Sequence, residues 1–433
     1  MGYDGILGGM TTHPDAAAAA HPTAADSTAT TADSTAAAHP AAQLHPQTRV
    51  VHAATGHAPG PGPLSVPIYQ TSGFAFDDAD SIAAAMAAPD GDYVYTRRGN
   101  PTVRALETAL TELEGGAAAI AAASGMGAIS AVLLSLLQPG DHVLAQKCLY
   151  GGTFSVLTDL GRRFGIETTY LDAEDPAEIA AATRSNTRLL LLETIANPTT
   201  RVCDLPALLA AGRARGLVGV VDNSLASPVL CRPIEHGADI VVHSTTKYLA
   251  GHSDVIGGAA VFADPALHRA VWARAVELGA TPDPFAAWLT IRGLQTLVLR
   301  MRQHCSNAAL LAERLAAHPA VIAVNWPGLQ GHPDREVARR LLSDCGGMLS
   351  FELAGGREAG RRFIGAVRLA RLALSIGGVE TLVTHPASTS HRELTEEQLE
   401  SAGIGPGTVR LAVGIEHPED LWADLDQALH SVR

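Results

Sequence analysis

The chain has 433 residues, of which 47% are apolar and 17% charged, and its formal net charge is −13. That length is ample for a large buried core and for two domains. The acidic balance excludes a non-specific nucleic-acid binder, which needs Lys and Arg to neutralise phosphates. The cysteines Cys148, Cys203, Cys231, Cys305 and Cys345 form no C-x-x-C pair and no zinc-type cluster, so no metal site is expected. Their odd number fits reduced thiols in a cytoplasmic enzyme. No apolar run reaches the length of a membrane span, and the first residues carry no secretory signal pattern.

Residues 1–48 form a biased tract of small and polar residues, such as "TAADSTATTADSTAAAHP". Without large apolar side chains it cannot offset the entropy of ordering, so a disordered tail is expected. His13, His21, His39 and His45 are irregularly spaced and read as ordinary tail residues. Residues 49–99 are rich in Pro and Gly and hold "GPGPLSVPIYQTSGF" and "YVYTRRGNPT".

Over 100–295, short apolar runs alternate with helical stretches: "AAAIAAAS", "HVLAQ", "IETTYLD", "RLLLLET", "LVGVVDN" and "ADIVVHS". Runs of this kind separated by helices predict an α/β domain with a largely parallel sheet covered on both faces. Over 296–433 the pattern changes. A long helix in "TLVLRMRQHCSNAALLAERLAAHP" leads to "GGMLSFEL" and "TVRLAVGIE", which predicts a smaller α+β domain.

Three motifs fall at predicted strand ends. In "ADIVVHSTTKYLAGHSD" a buried strand runs into a turn holding Ser244, Thr246 and Lys247. A desolvated lysine has a lowered pKa and can form an imine with an aldehyde, and nearby hydroxyls can bind a phosphate. In "ASGMGA", residues 123–128, small residues open a helix whose N-terminus favours an anion. It is neither a P-loop nor G-x-G-x-x-G. In "VVDNS", Asp222 follows a strand at the sheet's carboxyl edge, where it can pair with a protonated pyridine nitrogen. Each motif alone also has an ordinary reading: a solvated loop lysine, a tight turn, a capping aspartate. Together, and in this order, they describe a phosphate cradle, a carboxylate and an imine-forming lysine on one sheet.

With "HSTTKYLAGHSD", "YTRRGNPT", "SGMGA", "LYGGT", "HPASTSH" and "VRLAVGIE" in this order, the chain from about residue 49 to 433 resembles the Cys/Met-metabolism family of pyridoxal 5′-phosphate (PLP) enzymes. That family includes cystathionine γ-synthase, cystathionine γ-lyase, methionine γ-lyase and the homoserine-ester sulfhydrylases. The resemblance implies an aspartate-aminotransferase-like (fold type I) large domain over 100–295 with a mixed, mostly parallel sheet, and a smaller α+β domain over 296–433. It further implies an arm over 49–99 that contacts a neighbouring subunit, within a dimer of dimers.

The resemblance also assigns residues. Lys247 matches the Schiff-base lysine. Ser124, Gly125 and Met126 match the phosphate cradle, with Ser244 and Thr246 as hydroxyl donors. Tyr95 and Arg97 match the pair that reaches the phosphate of a neighbouring subunit. Tyr150 matches the tyrosine that stacks on the cofactor ring and handles protons, Asn197 the asparagine beside the ring oxygen, and Asp222 the pyridine partner. Ser375 and Arg410 match residues that hold the substrate carboxylate, a task suited to the guanidinium fork.

The implied reaction is γ-elimination from a sulfur amino acid. Lys247 takes the Cα proton and Tyr150 protonates the leaving sulfur, giving a 2-oxo acid, ammonia and a thiol. The wording is nearest to methionine γ-lyase, and apolar Leu374 suits an uncharged substrate tail. Gly152 departs from that branch, which typically carries Cys there, and Ser390 stands where Thr is common. Cystathionine γ-lyase activity and γ-replacement on an acylated homoserine are therefore the alternatives.

Overall fold

Each central strand of the large sheet is apolar on both sides, and the packing shows why. Leu190 and Leu192 are buried in one apolar cluster and Leu189 and Leu191 in another. Successive side chains of a strand point to opposite faces, so an unbroken Leu run needs a cover on each face. The structure, a computed structural model, describes residues 44–54, 62–88, 93–173, 175–389 and 403–432, with Arg392, Glu397 and Leu399.

The large sheet comprises β1 (Ala118–Ala122), β2 (His142–Gln146), β3 (Glu167–Leu171), β4 (Thr187–Glu193), β5 (Val218–Asp222), β6 (Ile240–His243) and β7 (Gly258–Phe262). Their order is β1-β7-β6-β5-β4-β2-β3. Strands β6, β5, β4, β2 and β3 run parallel, whereas β7 is antiparallel to both of its neighbours. The sheet is thus mixed and mostly parallel. Strand β7, "GAAVF", follows the lysine loop directly and is too short and Ala-rich to announce itself by periodicity.

Helix ends follow local chemistry. The Pro101–Glu114 helix starts at Asn100, whose side chain accepts the Thr102 amide, and stops at Gly115 with φ 73°; the left-handed conformation there favours glycine. The Gly125–Leu136 helix is capped by Ser124, whose Oγ accepts the Gly127 amide at 3.0 Å.

The second sheet comprises β8 (Val321–Asn325), β9 (Met348–Leu353), β10 (Arg371–Leu372), β11 (Leu382–Thr384) and β12 (Thr408–Ala412), in the order β10-β11-β12-β9-β8. Leu311, Phe351, Phe363, Leu411 and Leu425 share its core with helices Leu297–Ala316, Gly356–Ala366 and Pro418–His430. The expected tail meets one difference. A helix already runs over Pro46–His52, begun by the His45 ring accepting the Gln47 amide and by Pro at the helix start. Residues 1–43 lie outside the described residues. Among the described residues no helix is long and apolar enough to cross a membrane.

The Leu297–Ala316 helix carries three buried polar side chains, Arg300, His304 and Asn307. The spacing i, i+4, i+7 puts them on one face. Arg300 donates to the carbonyls of Tyr248 and Gly293, each at 2.8 Å. The His304 ring contacts the Val413 carbonyl at 2.7 Å, and Asn307 donates to the carbonyls of Gly414 and Glu416 at 3.0 and 2.8 Å. Burial lowers His304 to about 4, so its ring is neutral at ordinary pH.

Candidate active site

The parallel strands β4, β5 and β6 end side by side. Glu193 pairs in register with Asp222, and Asp222 with Val242. Ligands of α/β sheets bind at such carboxyl edges. The chain leaves β6 into Ser244, Thr246 and Lys247. The Ser244 amide donates to Ser224 Oγ at 2.7 Å, and the Ser224 amide donates to Asp222 Oδ1 at 2.9 Å. Asp222 is thereby tied to the lysine loop through a single serine. Burial raises the Asp222 carboxyl, with the Ser224 bonds and the charge of His243 opposing it.

Lys247 Nζ donates to Ser375 Oγ at 3.1 Å. Burial, and then the neighbouring Arg410 charge, lower its amine below the ordinary lysine range. Ser375 sits on a loop pressed against the lysine. Gly377, with φ +75°, lies so close that an added Cβ would stand 2.6 Å from the Tyr248 nitrogen and 3.0 Å from the Lys247 carbonyl carbon. Behind the loop, Gly251 (φ +74°) lets Arg300 in, since a Cβ there would lie 2.0 Å from Arg300 Nη1.

Arg410, on β12, is 6% exposed. Its Nη2 donates to the carbonyls of Leu374 and Ser375 at 3.2 and 3.1 Å, and its Nη1 to Asn197 Oδ1 at 3.4 Å. Its Nε is buried without a hydrogen-bond partner among the described residues. Burial lowers it to about 10, so it stays cationic at neutral pH. The structure thus brings Lys247, Ser375, Arg410 and Asn197 into one connected group.

The start of the Gly125–Leu136 helix joins the same place. An added Cβ at Gly125 would meet Ser244 Cβ at 2.8 Å and Ser244 Oγ at 3.1 Å. The first N–H groups of a helix lack intrahelical partners, so this crossing sets amide donors beside a hydroxyl. Tyr150 stands at the N-terminus of the Gly151–Phe164 helix, and its ring is largely exposed. A Cβ at residue 152 would lie 2.5 Å from that ring and 2.9 Å from Met126 Sδ. Gly152 therefore lets the phenol fold back against Met126.

Two predicted residues are engaged elsewhere within the chain. Arg97 donates to the Val276 carbonyl at 3.0 Å and lies 5.8 Å from the Tyr95 ring centroid; Tyr95 itself is 47% exposed. The Thr246 hydroxyl donates to the Gly257 carbonyl at 3.1 Å and accepts the Gly257 amide at 3.0 Å. Ser390 lies outside the described residues.

The sequence reading passed over three features. Glu193 Oε1 accepts the Tyr150 amide at 2.6 Å. Beneath Asp222, His243 Nε2 meets Glu114 Oε1 at 2.6 Å with both side chains fully buried, and Asn223 links that oxygen, at 3.0 Å, to the Thr194 hydroxyl. Arg300 is the third. The only advance signal was a polar residue inside an apolar run.

Residues 47–430 match the family described as Cys/Met metabolism PLP-dependent enzyme. The chain belongs to that family. It is 45% identical over 374 residues to L-methionine gamma-lyase of Fusobacterium nucleatum subsp. polymorphum, covering 86% of this chain and 94% of the relative. The structure of cystathionine gamma synthase from Xanthomonas oryzae pv. oryzae in complex with cystathionine superposes with a TM-score of 0.85 at 42% identity, covering 90% of this chain and 98% of that one. That of cystathionine gamma-lyase from Lactobacillus plantarum complexed with L-serine gives 0.84 at 36% identity, covering 90% and 99%.

A Cys/Met-metabolism enzyme works with PLP, and the residues present fit that group. Its aldehyde requires an amine that gives up its proton readily, as the lowered Lys247 does. Its phosphate requires clustered amide and hydroxyl donors, as at Gly125 and Ser244. Its ring nitrogen requires an acid at the sheet edge, where Asp222 ends β5. Because a methyl group at residue 125 would meet Ser244 at 2.8 Å, overpacking in Gly125→Ala costs about 1–3 kcal/mol. The variant is expected to melt earlier and to retain less PLP after dialysis, measured by thermal denaturation and cofactor absorbance.

The described residues also hold a cluster of His318, Asp426 and His430, with ligand atoms within 4.8 Å of one another. His318 Nδ1 already accepts the Ala320 amide at 3.2 Å. Its Nε2 is then the N–H that faces Asp426 at 3.8 Å, an arrangement of a capped turn rather than of lone pairs converging on an ion.

Proposed function

We propose that this chain is a carbon–sulfur lyase that eliminates the γ-sulfur group of L-methionine or a related sulfur amino acid. The observation that carries this reading is the environment of Leu374. Its carbonyl is held by Arg410 while its side chain is 64% exposed. The loop thus presents an alkyl group, not an acid, beside the residues suited to the substrate carboxylate. An uncharged tail such as a thioether suits that surface.

PLP, when bound, supplies an aldehyde that captures the substrate amine and a ring that delocalises negative charge. In this reading Gly125, Met126, Ser124, Ser244 and Thr246 hold its phosphate, Asp222 its ring nitrogen, and Asn197 and Tyr150 its ring. The buried Arg410 fork takes the substrate carboxylate. Its hydrogen-bond partners among the described residues are neutral, two carbonyls and an amide oxygen, which leaves its charge for an anion. Ser375 Oγ orients Lys247 Nζ, which takes the Cα proton as a neutral amine. The Tyr150 hydroxyl donates a proton to the departing sulfur. Water completes the balance: methionine and water give 2-oxobutanoate, ammonia and methanethiol.

The arm fits a partner-facing role. Leu64, Ile68, Tyr69 and Tyr95 are exposed, and a second copy of the chain would cover them. In such an assembly Tyr95 and Arg97 would reach the neighbour's phosphate site. The five free cysteines suit a reducing compartment such as the cytoplasm.

Gly152 favours a second reading. The space a side chain would take there is filled by Tyr150 and Met126, and Gly152 departs from the methionine γ-lyase pattern. γ-Replacement on an activated homoserine, or γ-elimination from cystathionine, would then be the activity. Each substrate is offered separately and 2-oxobutanoate and free thiol are measured. Methionine alone is expected to yield both. Product from acylated homoserine only in the presence of a thiol would transfer the assignment to the second reading.

A further inference from the structure

We infer that Glu193 is a positioning residue that sets the Tyr150 phenol over the carboxyl edge of the sheet through the Tyr150 backbone. This rests on the assignment of Tyr150 to the active site and applies whichever sulfur substrate is used. Glu193 is the last residue of β4 and is 3% exposed. Its Oε1 accepts the Tyr150 amide at 2.6 Å, and its own amide donates to Gln146 Oε1 at 2.8 Å. Its Oε2 is buried with no hydrogen-bond partner among the described residues.

Geometry explains why a side chain is needed there. Tyr150 has the N-cap position of the Gly151–Phe164 helix, and its own side chain makes no capping bond. The ring is 49% exposed, so packing holds it weakly. Gly152 leaves room for the ring but offers no side chain to hold it. Among the described residues, the backbone bond to Glu193 ties Tyr150 to the end of a sheet strand. The same carboxyl lies in register beside Asp222. Burial, and then the charge of Asp222, push Glu193 well above the ordinary glutamate range.

Variants at Glu193 and Tyr150 test this on the PLP-loaded protein. Glu193→Gln keeps an acceptor oxygen without charge and is expected to stay within about threefold of wild type in kcat. Glu193→Leu keeps volume and removes the acceptor. It is expected to lower kcat by roughly tenfold or more while KM changes little, with the pH profile displaced and the circular dichroism of the bound cofactor reduced. If the Leu variant does not accumulate, Glu193→Asp, which withdraws the acceptor by one methylene, takes its place in the comparison. Placed on Tyr150→Ala, the Glu193→Leu change is expected to cost little more, because its effect runs through the missing ring. Equal losses in the Gln and Leu variants, or losses that multiply fully with Tyr150→Ala, would overturn the inference. An unchanged rate in Tyr150→Ala alone would instead remove Tyr150 from the reaction and leave the cofactor dichroism of Glu193→Leu as the separate readout.

Discussion

Lys247→Ala is expected to abolish turnover and the visible absorption of the lysine-bound cofactor. The amine is held 3.1 Å from Ser375 Oγ and its pKa is lowered by burial and by Arg410. In the proposed reaction it supplies both the amine that captures the aldehyde and the base. General-base loss alone removes roughly 10²–10⁴ of the rate, and loss of the covalent anchor adds to that. Lys247→Arg keeps a cation but no nucleophile, and should be as inactive. Stopped assays with methionine, with protein concentration fixed by backbone absorbance, measure both variants. Turnover above about a hundredth of wild type would remove Lys247 from the proton transfer.

Arg410→Ala is the second large effect. A charge-assisted hydrogen bond is worth about 1.5–3 kcal/mol. Losing a two-pronged contact to a carboxylate therefore lowers kcat/KM by roughly 10²–10⁴, most of it as a rise in KM. Part of the loss is indirect, because the same guanidinium holds the Leu374 and Ser375 carbonyls. Arg410→Lys separates the two contributions, since an ammonium keeps the charge but not the fork. It is expected to recover less than a tenth of the lost activity. Full recovery would show that charge, not the paired geometry, binds the substrate.

What was legible in the sequence follows from what each feature depends on. The strands "HVLAQ" and "RLLLLET" were readable because burial on both faces leaves an unbroken apolar run, and β2 and β4 lie within those runs. Lys247, Asp222 and Gly125 could be singled out because each breaks such a run at a strand or helix end. Residue types there report chemistry, since packing does not demand them. β7 was not legible, because "GAAVF" opens on three small residues directly after the lysine loop and shows no period.

Nor was the role of Glu193. Its neighbours Leu190, Leu191 and Leu192 mark a strand, but the partner that matters, the Tyr150 amide, lies 43 residues away. Arg300, His304 and Asn307 share a helix face, which the sequence does show. Most of their acceptors are backbone carbonyls, which leave no trace in a residue pattern. The destination of Arg97 is a further case, since its acceptor, the Val276 carbonyl, is a backbone group 179 residues away.

The helix face that holds Arg300, His304 and Asn307 fastens two segments that lead away from the candidate site. Arg300 grips the chain just after Lys247, through the Tyr248 carbonyl, and His304 and Asn307 grip the chain just beyond Arg410, through Val413 and Gly414. Seven residues of helix, about 10 Å of rod, therefore hold the segment after Lys247 and the segment after Arg410 on one rigid element. In the proposed reaction those two residues meet the parts common to every α-amino acid, the Cα proton and the carboxylate. The loop at Leu374 would meet the part that varies, so the accepted tail is expected to change when a residue or two there is replaced while the helix and the two segments it holds stay as they are.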